Sequence, residues 1–104
     1  MADDVVGVAL ALRWRIPIGQ RFVFEDFEDG IVMFDALVGS THVVSVTAAE
    51  TLALIVQTSG LTAMEIHERL LKRIGVSPDA LPFAAMLELL WQLEHLDLVT
   101  AENP

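Results

Sequence analysis

Three histidines and fifteen acidic residues are the groups from which this 104-residue chain could build an acid–base pair or a metal site, and cysteine is absent. Disulfides, thiolate ligands and cysteine nucleophiles are therefore excluded by inventory. The histidines lack the spacing that metal ligation or general acid–base work requires. His67 follows Glu65 and Ile66 on a polar helix face and His95 lies on a polar strip, so both are expected in solvent. His42 opens a β-segment, where hydrogen bonding at the turn is favoured over contact with a ligand. The expectation is a protein that is not an enzyme, with no cofactor and no metal.

Charge narrows the partners. Six basic against fifteen acidic residues give a formal charge of −9. From Pro82 to Asp97 there is no Lys or Arg at all, whereas a helix that reads DNA needs cations for phosphates and donors for base edges. Arg69, Lys72 and Arg73 cluster at one helix end, where they complement its dipole. Nucleic acid is thus not an expected partner, and a cationic or neutral one is favoured.

The composition is 54% hydrophobic with a mean hydropathy of +0.55. The apolar residues fall in short bounded segments, which reads as one globular domain over 1–104 with no membrane span. A domain this small hides a limited fraction of its apolar surface, so some of it should face a partner. The apolar stretch near the N-terminus, an extension over 1–13, follows two acids rather than the basic flank of a secretory signal, so a cytoplasmic protein is expected.

The elements that must position any site come in a definite order. Arg21–Glu28, Ile31–Phe34 and Thr41–Val46 read as strands, the outer two by alternation and the middle one apolar on both faces as a central strand would be, with turn residues at Glu28-Asp29-Gly30 and Val38-Gly39-Ser40. Phe27 breaks the period of two and suggests a bulge or a strand end. An earlier short strand around Arg13–Ile18 is a weak signal, since Pro17 cannot donate to a ladder. From Thr47 the period becomes helical. Thr47-Ala-Ala-Glu50 and Thr62-Ala-Met-Glu65 have the capping-box pattern, giving helices near 48–58 and 63–73, and Pro82 starts a third near 82–96. Asp97–Thr100 reads as a wing remnant or final strand. The fold class is α+β: a three-stranded antiparallel sheet followed by three helices, winged helix–turn–helix-like.

Trp14, the Asp29-Gly30 hairpin, the Gly39-Ser-Thr-His42 run, the Thr47-Ala-Ala-Glu50 helix start and the closing Leu93-Glu-His-Leu-Asp-Leu-Val99 occur in an order and spacing that resembles the PqqD-like family, the RiPP recognition elements. Within it the chain is most similar to the peptide chaperones of the HPr-rel-A system, over roughly residues 14–100. At Val38-Gly39-Ser40-Thr41 it departs from the Ser-Gly-acid-Thr-His pattern of that group. The resemblance implies a peptide chaperone that takes the leader of a ribosomally made precursor as an added strand on its third strand, under its third helix, and presents it to a peptide-modifying enzyme.

On that reading Thr41, His42, Val43, Val44, Ser45 and Val46 supply the strand side of the cleft, and Ala85, Leu89, Gln92 and Leu96 the helix side. Phe83, Leu87 and Leu90 then face the core. The apolar residues of the third helix spread over about 240° of the wheel, more than the roughly 100° that one packed face needs. The surplus fits a groove, and it also fits the first helix, the N-terminal segment or a dimer mate. Trp14 should cover the sheet and Trp91 pack near the helix junction. The alternative is a winged-helix module for protein docking or homodimerisation, and a DNA-binding regulator ranks behind both.

Overall fold

The computed structural model describes residues 10–103; the expected N-terminal extension lies mostly outside them. In chain order the elements are β1 (Arg13–Arg15), β2 (Phe22–Phe27), β3 (Gly30–Asp35), β4 (Ser40–Val44), α1 (Val46–Gln57), β5 (Leu61–Thr62), α2 (Ala63–Ile74), α3 (Phe83–His95) and β6 (Thr100–Glu102). They form two three-stranded antiparallel sheets and three helices, an α+β fold. The arrangement is compatible with a winged helix–turn–helix.

β2, β3 and β4 make the expected meander, with β3 in the centre. Gly30, at φ 150°, closes the two-residue turn on Phe27, a conformation that favours glycine. Phe27 is therefore a strand end in regular register, without a bulge. The pairing aligns Phe24, Met33 and His42 on one face. Met33 is fully buried there, β3 packs on α1, and Phe22, Phe24 and Val44 are half-buried against the core.

α1 begins two residues earlier than the Thr47 pattern predicts. Ser45 is the N-cap, its Oγ accepting from the Ala48 amide at 3.1 Å. The physical reason lies in the sheet: β4 pairing ends at Ile31↔Val44, where β3 runs into its turn glycine, so the chain leaves the strand at Ser45. Thr47 falls inside the first turn, its carbonyl accepting from Thr51 Oγ1 at 2.7 Å, and Glu50 pairs with Arg73 instead of the backbone. The second capping box is present as expected. Thr62 Oγ1 accepts from the Glu65 amide, and the Glu65 carboxylate accepts from the Thr62 amide at 3.0 Å. That amide and the Thr62 hydroxyl, helped by Arg13 and Arg69, hold the Glu65 carboxyl below its ordinary value.

α3 starts after Pro82 and ends in a Schellman motif. The Leu98 amide donates to the Leu93 carbonyl and the Asp97 amide to that of Glu94, with Asp97 left-handed at φ 62°. The reversal drops Leu98 and Val99 into the core.

The second sheet, in the order β5–β1–β6, is an addition to the expected architecture. The weak strand at Arg13–Ile18 exists as Arg13–Arg15, with Pro17 beyond its end. Trp14 points inward and is fully buried, while Arg13 donates to the Gly60 carbonyl at 2.8 Å and Arg15 pairs with Glu102 at 2.8 Å. Trp14 thus anchors this second sheet to the core, whereas the sequence suggested that it covers the meander. On α3 the fully buried positions are Met86 and Leu90, with Leu93 nearly so; Phe83 and Leu87, expected in the core, are only half-buried against it.

Candidate functional site

β4 is an edge strand, and among the described residues no strand pairs with its outer side. In an antiparallel ladder, backbone groups alternate between facing the partner and facing away. The two-residue turn makes Phe27↔Gly30 a hydrogen-bonded pair, and the Ala36 amide donates to the Arg21 carbonyl in phase with it. Counting alternately across β3 leaves Ile31, Met33 and Asp35 bonded to β4 through Val44, His42 and Ser40. The backbone N–H and C=O of Thr41 and Val43 therefore point to the open edge. Their side chains lie on the outer face of the sheet, with Val43 77% exposed, while His42 and Val44 point inward and are half-buried.

Two of the six expected strand residues are not in the strand. Ser45 caps α1 and Val46 is its first residue, because pairing stops at Val44.

On α3, Ala85, Gln92 and Leu96 are exposed along one helical face. Leu89, on the same stripe, is half-buried and packed against the core. An open groove of about 540 Å³ runs along the helix, lined by Glu88, Trp91, Gln92, His95 and Leu96. It takes in two of the four expected helix residues and adds three whose spacing of three, four and seven positions was legible in the sequence. Trp91 meets Trp14 edge-on with ring centroids 5.1 Å apart. The Trp14 Nε1 is buried without an acceptor.

No residue of β4 lines this groove or any of the three other cavities described. The expected site residues thus form two surfaces, a strand edge and a helix face. The opposite edge of the meander, on β2, carries a cavity of about 330 Å³ between Phe22 and Phe24 on one side and Ala53 and Val56 on the other. Sequence reasoning passed over it because β2 and α1 are separated in the chain by the rest of the meander.

His67 departs from its expected solvated state: it is half-buried, in a hydrogen bond of its Nε2 with the Leu81 carbonyl at 2.7 Å, and its ring meets Phe83 at 5.5 Å. It ties the loop before α3 to α2. His42 makes no side-chain hydrogen bond among the described residues, so its expected turn contact is not formed; in the ladder it pairs with Met33. His95 is exposed. Among the described residues no cluster of three or more His, Asp or Glu could hold a metal, and no helix is long and apolar enough to cross a membrane.

Comparison with family profiles, with curated protein sequences and with solved structures returned no match.

Proposed function

We propose that this protein is a non-enzymatic peptide adaptor, one that binds the leader of a ribosomally synthesised precursor as an added β-strand and presents it to a modifying enzyme. The observation that carries the reading is the open β4 edge, with the backbone groups of Thr41 and Val43 directed outward. An extended peptide satisfies such groups with little regard to its own sequence, and side-chain pockets then select. The exposed Ala85, Gln92 and Leu96 on α3, and the groove that Gln92 and Leu96 share with Trp91, form a separate surface that selects only a leader long enough to extend beyond the β4 edge. The resemblance to PqqD-like peptide chaperones supports the same assignment, and with it a cytoplasmic place beside the partner enzyme. Holding the precursor there raises its local concentration at that enzyme without any chemistry by the adaptor.

The backbone alternation supplies a direct test. Proline at position 43 removes an amide that faces away from β3, a position that edge strands tolerate, so Val43→Pro should keep the fold and abolish strand addition. Synthetic leader segments of short precursors encoded beside the protein would be titrated into wild type and variant, followed by amide shifts. Shifts over Thr41–Val44 that vanish in Val43→Pro support the adaptor. Shifts confined to the β2 edge, or undiminished binding by the variant, overturn the assignment of the site; no binding by any such leader overturns the function.

A further inference from the structure

The meander has a second face that nothing in the described structure covers. Its register sets Val23 beside Phe34 and Thr41, and Glu25 beside Val32 and Val43, all turned away from the core. Val23 is 51% exposed, Phe34 42%, Val43 77% and, at the end of β2, Phe27 59%. Three strands about 4.8 Å apart, two of six residues and one of five at about 3.3 Å each, give a face of roughly 14 by 20 Å. Its apolar part, interrupted by Glu25 and Thr41, is a fraction of that area, and exposed apolar clusters rimmed by polar residues mark interaction surfaces.

Charge selects the occupant. Glu25 projects from the face itself, and Glu28 and Asp29 form the hairpin turn at its end. None of the three is ion-paired among the described residues, and Arg21 at the opposite end is the one cation whose alternation puts it on this face. A second copy would bring two such acidic ends and two net charges of −9 together. A purely extended segment would use an edge instead of the face. A helix of about 13 residues spans 20 Å, and sheet faces bury their apolar side under helices of this kind, as the inner face does under α1.

We propose that the outward face of the β2–β3–β4 sheet docks a cationic amphipathic helix of a partner protein, with its apolar stripe on Val23, Val32, Phe34 and Val43 and its Lys or Arg residues against Glu25, Glu28 and Asp29. This surface uses side chains, not the edge groups of β4, and stands whether or not a leader binds there.

The probe is a synthetic amphipathic Leu–Lys peptide of about 14 residues, with a Leu–Glu peptide of the same pattern as its control, titrated into the full chain. The Leu–Lys peptide should shift the amides of Val23, Val32, Phe34 and Val43. Its affinity should fall at least about tenfold in the double variant Val23→Lys/Phe34→Lys and weaken as salt is raised. A second double variant, Glu25→Lys/Glu28→Lys, alters only exposed charge and should transfer the preference to the Leu–Glu peptide. Shifts confined to α3 or an edge, equal binding of both peptides by wild type, or an unchanged preference in the charge-reversed variant would overturn the proposal. So would a concentration-dependent dimer that Val23→Lys/Phe34→Lys abolishes, since the face would then belong to a second copy.

Discussion

At position 45 two capping patterns overlap, and only one can start the helix. Ser45 accepts from the Ala48 amide, while Thr47, with a glutamate three residues on, already sits inside the first turn. Removing an N-cap hydroxyl costs about 1 kcal/mol. Ser45→Ala should therefore lower the unfolding free energy by about that amount, and Thr47→Ala should change it by only a few tenths, since alanine is the better helix former. Urea unfolding of the two variants separates them; a larger loss for Thr47→Ala would return the cap to the position its sequence pattern suggested. Asp97 illustrates the same competition at the other end of a helix. A left-handed turn favours glycine, yet the chain places aspartate there at φ 62°, and the Leu98 and Leu93 backbones still close the motif.

Among the elements, α3 divides its leucines into those that hold the domain and those free for another task. Leu90 is fully buried, Leu89 is half-buried on the core, and Leu96 is 53% exposed. Leu90→Ala should cost about 2–5 kcal/mol, a large share of the 5–15 kcal/mol typical of a small domain. Leu96→Asp should leave stability within about 0.5 kcal/mol while weakening a leader that reaches α3; denaturant midpoints alongside leader titration read both. Leu89, which the wheel assigned to the cleft, is the poorer probe because its loss mixes the two effects. The helices and the meander were legible because each carries a local signature: capping residues, a two-residue turn, and a period of two or 3.6. The second sheet as a unit was not: its strands have three, two and three residues, so those near Arg13 and Thr100 left only weak signals and β5 none, and their pairing joins segments far apart in the chain. For the candidate site, the parity of Thr41 to Val44 followed from alternation alone. The strand's end at Val44 did not, being set by the length of β3.

For the whole molecule, the balance of six basic to fifteen acidic residues sets a long-range field that repels polyanions. α3 carries Glu88 and Glu94 and no Lys or Arg, and Arg73 in the last turn of α2 is engaged by Glu50 and Gln57. No retardation of duplex DNA should be seen at physiological salt, and binding at micromolar protein would contradict this charge argument. The pairing of β1 with β6 has a mechanical consequence. Arg13 lies opposite Glu102 and Arg15 opposite Thr100, so the two ends of the described chain enter neighbouring antiparallel strands from the same side. Tension applied through those ends loads the rungs one after another, as in a zipper, instead of all at once in shear. The domain should therefore yield at low force, and the first buried side chain freed would be Trp14, whose fluorescence would report the opening.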